Sequence, residues 1–267
     1  MQVGSSSIAA AVAARHRELE ELVADLEEPD LRAPSSLPGW SRLTVLCHLR
    51  YGAEASLAIT EGARRGERVA FYPDGRDAQR PWTLLPRPGE APFDVVREAR
   101  RAADALDSVW ARLGPTDWDV VAVEPDANPD LGPISLGALA LLRLTEVEVH
   151  GRDLEIGAAP WSDTFVETVL PMRLRWLSTR RSNHREVDRS VRGTWVFRPD
   201  GGDAHVVRLT DDGVSVVPDE ATDDGVEFAG SPHALLGFLL GRLPMDALRV
   251  EGDPGLAAAF SRAFPSP

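Results

Sequence analysis

Hydrophobic residues recur at three- and four-residue spacing in four stretches before residue 160, and beyond it the pattern turns to alternation. That switch constrains the fold more than anything else in the sequence. A period near 3.6 buries one face of a helix, and a period of two buries one face of a strand. The first stretch runs from Ser6 to Glu28, on Ile8, Val12, Leu19, Leu22, Val23 and Leu26, with Pro29 expected to end it. The second opens at Trp40-Ser41, with Ser41 as N-cap, and continues through Leu43, Val45, Leu46, Leu49 and Leu57 to about Arg65. The third spans Phe93 to Leu113 and stops at Gly114-Pro115. The fourth, capped by Ser135, spans Leu136 to about Leu154. Four helices in succession predict an antiparallel four-helix bundle over residues 1–160.

Ala158-Ala-Pro160 reads as a boundary. A further helix is expected from Thr164 to Arg181, ending in Arg173, Arg175, Arg180 and Arg181. Alternation then marks strands at Thr194–Arg198, His205–Thr210, Val214–Val217 and Val226–Ala229, joined by Gly- and Asp-rich turns. A helix over Ser231–Gly241, a strand at Leu248–Val250 and a helix over Pro254–Phe264 complete a small α+β domain over 161–267. The whole is thus an α+β, two-domain chain. Between the second and third helices, Gly66–Pro92 holds five prolines from Pro73 to Pro92 together with Phe71, Tyr72 and Trp82. It is expected as a loop over one end of the helices, placed to act as a lid or to line a pocket with Tyr72 and Trp82.

Composition narrows the partners. The formal charge of −13 argues against a nucleic-acid ligand, which requires clustered cations. All 29 basic residues are arginine, which removes lysine nucleophiles and Schiff bases. No apolar run approaches the ~20 residues of a membrane helix. The N-terminus lacks a signal-peptide pattern, and the one cysteine, Cys47, fits a reducing cytoplasm. Cys47 itself reads as a small core residue. A cytoplasmic monomer or homodimer that binds neither membrane nor nucleic acid is expected.

Glu146 and His150 lie four residues apart, so a helix stacks them on one face, where a carboxylate and an imidazole suit a divalent metal. The same pair also suits a solvated face or a simple hydrogen bond. Of the six histidines, His48 falls within the second helix among apolar neighbours. It would complete a two-histidine, one-carboxylate set if the second and fourth helices face each other, and is otherwise a satisfied core residue. Asp153 would orient a ligand imidazole or pair with Arg152 or Arg143 at the surface. Glu148 points away from Glu146. Trp40 packs at a helix start or walls a pocket, and His184 sits in a basic run that reads as a solvated helix end.

Three segments resemble one family. Pro38-Gly-Trp-Ser-Arg-Leu-Thr-Val-Leu-Cys-His-Leu49 resembles the helix start of the mycothiol-dependent maleylpyruvate isomerase family, DinB-like bundles of actinobacteria. Thr145-Glu-Val-Glu-Val-His-Gly-Arg-Asp-Leu154 is similar to that family's Glu-x-x-x-His-x-x-Asp-Leu segment, and Gly237–Asp253 to its C-terminal domain signature. The resemblance implies a divalent metal, usually zinc, held by His48, Glu146 and His150. It implies mycothiol as a low-molecular-weight thiol cosubstrate and an electrophilic small-molecule substrate. Arg242, in Gly-Arg-Leu-Pro, is implied as the catalytic arginine of the C-terminal domain, suited to a bidentate grip on a substrate carboxylate. Isomerisation is the expected outcome, with thiol S-transfer in secondary metabolism or detoxification, or non-catalytic small-molecule binding, as alternatives.

Overall fold

The computed structural model describes residues 4–122, 134–180, 187–218 and 225–266, the side chains of 178–180 excepted. The chain is α+β and divides into two compact units, Met1–Phe165 and Val166–Pro267. Among the described residues no helix is long and apolar enough to cross a membrane.

In the first unit the helices are α1 (Ser5–Ala24), α2 (Glu28–Arg32), α3 (Arg42–Arg64), α4 (Arg76–Thr83), α5 (Pro92–Trp110) and α6 (Leu136–Asp153). The short strands β1 (Val121–Ala122) and β2 (Ile134–Ser135) pair antiparallel just before α6. The four long helices close into a ring: α1 packs on α5 and α6, and α3 packs on the same two. Local chemistry sets their starts. Ser41 Oγ accepts the Thr44 N–H at 3.1 Å, and Ser135 Oγ accepts that of Ala138 at 3.2 Å. Both satisfy a backbone donor that the first turn would leave unpaired. Pro92 stands at the start of α5, where its missing N–H costs nothing, and Asp94 accepts the Ala91 N–H at 3.1 Å.

Two expectations change here. Pro29 does not end the first helix: α1 stops at Ala24, and Pro29 lies in the first turn of α2, where its fixed φ favours helix initiation. The Gly66–Pro92 stretch is not structureless, because it contains α4 with Pro81 inside it. It is also tied down. Tyr51 Oη donates to the Phe71 carbonyl at 2.5 Å, and the Tyr51 and Tyr72 rings stack at 5.5 Å. Tyr72 is therefore buried in this cluster, whereas Trp82 is 74% exposed.

Helix α6 supplies part of the ring's apolar core. Leu136, Leu144 and Val147 are fully buried, each contributing roughly 1.5–3 kcal/mol. Its closeness to α1 depends on Gly151, where a Cβ would come within 3.0 Å of Leu19. On another face Glu148, buried, takes an ion pair from Arg15 of α1 and accepts from Ser162 Oγ at 2.5 Å. Trp161 Nε1 donates to the Glu148 carbonyl at 3.0 Å.

Helix α7 (Asp163–Arg180) leads into the second unit. There β3 (Gly193–Pro199), β4 (His205–Thr210), β5 (Gly213–Pro218), β6 (Val226–Gly230) and β7 (Arg249–Glu251) form one sheet in the order β5-β4-β3-β6-β7. The central pair β3–β6 is parallel, with Trp195 opposite Val226 and Phe197 opposite Phe228, and the other pairs are antiparallel. Helices α8 (Pro232–Leu239) and α9 (Pro254–Ala263) pack on the central strands. Their Ser-Pro and Asp-Pro starts are capped by Ser231 and Asp253. Trp195, Phe197, Phe228, Phe238 and Phe260 interlock as this unit's aromatic core, at centroid separations between 5.1 and 5.7 Å. Arg173, expected in a basic helix end, is instead buried and donates from Nε to the Leu239 carbonyl at 3.3 Å. Arg181 and His184 lie outside the described residues.

Candidate metal centre

Helices α3 and α6 pack against each other within the ring, and one side chain of α3 reaches a pair on α6. His48 Nε2 lies 2.7 Å from Glu146 Oε2, and His150 Nε2 lies 3.4 Å from the same oxygen. One donor atom from each of His48, Glu146 and His150 falls within 4.8 Å of the others. His48 is 9% exposed, while the Glu146 side chain keeps 43% of its surface open, so the cluster is walled by protein yet has a solvent-facing edge.

The two imidazoles are held differently. His150 Nδ1 lies 2.9 Å from Asp153 Oδ2, and Asp153 Oδ1 accepts from Ser36 Oγ at 3.2 Å. Asp153 is buried, so the expectation of a surface pair with Arg143 or Arg152 is not met. Arg143 instead donates to His16, and Arg152 reaches the Ala159 carbonyl. The Asp153 carboxylate holds a proton on Nδ1, which leaves Nε2, the nitrogen that faces Glu146, as the one available to an ion. His48 has no such partner: its Nδ1 is buried without a hydrogen-bond acceptor among the described residues. Ring packing fixes it instead. Trp40 meets His48 edge-on at 5.7 Å, stacks on His150 at 6.2 Å and 17°, and the two histidine rings stand perpendicular at 4.8 Å.

Packing between α3 and α6 takes part of the Glu146 carboxylate out of water, which works against its charge. The hydrogen bond from His48 and the charges of His48, His150 and Arg143 outweigh it and hold the carboxyl at about 2. Glu146 is thus an anion at neutral pH, facing two imidazole nitrogens. Two nitrogens and a carboxylate oxygen converging from rigid helices are the donor types and number of a three-ligand zinc site with room for a further ligand, so these residues fit a divalent ion.

The family model of the mycothiol maleylpyruvate isomerase N-terminal domain matches residues 12–155, more than half of the chain. The chain belongs to this isomerase family. The crystal structure of the mycothiol-dependent maleylpyruvate isomerase superposes on it with a TM-score of 0.69 at 15% identity, covering 93% of this chain and 93% of that one. A crystal structure of a histidine-to-alanine variant of the mycothiol-dependent maleylpyruvate isomerase gives 0.68 over the same shares and at the same identity. At that identity the likeness speaks to the fold. A search of curated proteins finds no match.

The isomerase-family segments quoted from the sequence thus come together as follows. The Pro38–Leu49 segment supplies Trp40 and His48, and the Thr145–Leu154 segment supplies Glu146, His150 and Asp153. Glu148 is buried against Arg15, on a different side of α6. Cys47 is buried, and that burial pushes its thiol up to about 11. Arg242 lies in the second unit, in the turn after α8, where its Nη1 donates to the Leu240 carbonyl at 2.9 Å.

Sequence reasoning missed Ser36 and the group formed by His16, Asp107 and Arg143. His16 Nδ1 lies 2.9 Å from Asp107, and its Nε2 lies 3.0 Å from Arg143 Nη2. An arginine can only donate, so Nε2 accepts and the ring is neutral with its proton on Nδ1. One available signal was Arg143 itself, a lone charge in Leu141-Leu-Arg-Leu144.

Proposed function

We propose that the protein is a metal-dependent enzyme built on a DinB-like four-helix bundle of α1, α3, α5 and α6. It uses mycothiol, or a related low-molecular-weight thiol, as nucleophile on an electrophilic small molecule, in the manner of the maleylpyruvate isomerases. The convergence of His48 Nε2, Glu146 Oε2 and His150 Nε2 in a chain of this family carries the reading.

In this reading those three atoms hold the ion, zinc being the one best suited to two imidazoles and a carboxylate. A divalent ion bound there would supply positive charge that favours a thiolate over a thiol. Asp153 keeps the His150 proton on Nδ1 so that Nε2 remains a donor. Trp40 shields one side of the rings from water, and the open edge of Glu146 leaves an approach for thiol and electrophile. The protein's own thiol does not compete as nucleophile, because Cys47 is buried and its acidity suppressed. Arg242 is proposed as anchor for a substrate carboxylate, its guanidinium charged at any physiological pH.

The test joins metal analysis to product analysis. Purified protein is expected to contain one equivalent of divalent metal, and His48→Ala to lose it. With mycothiol and maleylpyruvate, mass spectrometry and chromatography should show the trans isomer with thiol regenerated. A stable S-conjugate with this or another electrophile would place the protein among thiol transferases instead. Metal content unchanged in His48→Ala would overturn the site and the enzymatic reading with it.

A further inference from the structure

His150 and Asp153 stand within the last four residues of α6, so the place of His150 Nε2 depends on how that helix ends. A helix leaves its last carbonyls without intrahelical donors, and such ends fray unless other groups pair them. This end is also strained. Glu155, just past the helix, holds a φ of 53° in the left-handed region, and it is the only non-glycine residue to do so among those described.

The missing donors come from the connector between α2 and α3. Ser36 N–H donates to the Asp153 carbonyl at 2.9 Å. Arg42 Nε donates to the Leu154 carbonyl at 2.8 Å, and its Nη2 to the Glu155 carbonyl at 3.2 Å. Its Nη1 lies 3.3 Å from the Asp30 carbonyl of α2. Among the described residues the hydrogen bonds of this guanidinium all go to backbone carbonyls and none to a carboxylate. Its charge stands instead at the negative end of the α6 dipole.

The connector is closed on itself. Arg42 N–H donates to the Ala33 carbonyl at 3.0 Å, and the Trp40 carbonyl accepts from Ser35 N–H at 2.9 Å and from its Oγ at 3.0 Å. The loop that grips the end of α6 is thus the loop that lays Trp40 on the His150 ring and Ser36 Oγ on the Asp153 carboxylate.

We propose that Arg42 is a positioning residue of the metal centre. Its guanidinium clamps the Leu154 and Glu155 carbonyls, holds the strained end of α6 against the start of α3, and thereby fixes His150 Nε2 relative to Glu146 and His48. The proposal rests on the reading of His48, Glu146 and His150 as metal ligands. Arg42 opens α3, the helix of His48, so the clamp joins the helix with one ligand to the end of the helix with the other two. A planar fork of donors suits this task, because one side chain must bridge two carbonyls.

Two variants of the full-length protein test it. Arg42→Met removes the donors and keeps an apolar stem, and Arg42→Lys keeps the charge but cannot bridge both carbonyls. In metal-free Arg42→Met, hydrogen exchange at the Leu154 and Glu155 amides should quicken at least ~10-fold, with the middle of α6 unchanged. Chelator competition should show the zinc dissociation constant rise at least ~10-fold, as for other lost partners of metal ligands. At saturating cobalt(II), whose visible absorption follows the arrangement of its ligands, the bands should shift or change intensity. Arg42→Lys should move each readout in the same direction by less. Denaturation midpoints of the metal-free variants serve as folding controls, since a general loss of stability lowers them without altering the cobalt bands at saturation. Wild-type zinc affinity and cobalt bands in a folded Arg42→Met protein would overturn the proposal and leave the ligand assignment standing. If Arg42→Met does not fold, the same result in Arg42→Lys overturns it. A wild-type protein that binds neither zinc nor cobalt would remove the ligand assignment, and the proposal with it.

Discussion

Asp153→Asn separates orientation from charge at the proposed centre. Asp153 is buried, reaches His150 Nδ1 at 2.9 Å and accepts from Ser36 Oγ at 3.2 Å. Asparagine has the same shape, and its carbonyl oxygen can still accept from Nδ1, so the ring stays in place. The negative charge that raises the basicity of Nε2 is lost. Changes at such a partner typically weaken metal binding about 10- to 100-fold, or about 1.4–2.7 kcal/mol. The effect can be read twice. Chelator competition should show the dissociation constant rise by that factor. At a metal concentration ~1,000 times the wild-type constant, metal stabilises the native protein by about 4.1 kcal/mol, and this should fall to roughly 2.7–1.4 kcal/mol in the variant. Denaturation with and without metal measures it, the metal-free midpoint of the variant serving as folding control. Wild-type metal affinity in a folded Asp153→Asn protein would refute the argument that this carboxylate tunes the ligand.

Three further outcomes are expected. Arg15→Met leaves the Glu148 carboxylate buried and uncompensated, and should cost about 3–5 kcal/mol of stability by denaturant titration, most of it restored in Arg15→Met/Glu148→Leu; additive losses would show that the pair is not coupled. Burial, opposed by the Asp107 hydrogen bond, lowers the His16 pKa from its usual 6.5, so the unfolded chain takes up this proton first. Stability should therefore fall as pH drops below ~6.5, with a contribution of up to ~1.4 kcal/mol per pH unit that His16→Gln lacks, and identical pH slopes would contradict it. Cys47 should resist iodoacetamide in the native protein at neutral pH and react only on unfolding, as intact-mass spectrometry would show.

What the sequence made legible follows the range of the interactions involved. The starts of α3 and α6 depend on a serine three residues from the N–H it accepts, and Ser41 and Ser135 could be read directly. Glu146 and His150 are equally local, since one helical turn brings them together. Pro29 was misread because proline breaks a helix it interrupts and favours one it begins, and spacing alone does not say which. Helix α4 escaped notice because its eight residues bury only Thr83, so no apolar period marks it. The role of Asp153 was left open between two partners, because its choice depends on burial beside Ser36, 117 residues away. The His16–Arg143 contact joins α1 to α6 across 127 residues, a pairing that no local pattern encodes.

That difference in range also orders events along the folding pathway. Glu146 and His150 are neighbours whenever α6 forms, so two of the cluster's three residues meet in an isolated helix. His48 arrives from 98 residues away and Ser36 from still farther, and contacts of that separation close only after the loop entropy between them has been overcome. The cluster is then a latch on a long loop, shut after the helices have docked. Interactions absent from the folding transition state govern how slowly a protein comes apart rather than how quickly it assembles. Metal held across this latch should therefore slow the opening of the α3–α6 interface and leave the speed of its formation little changed.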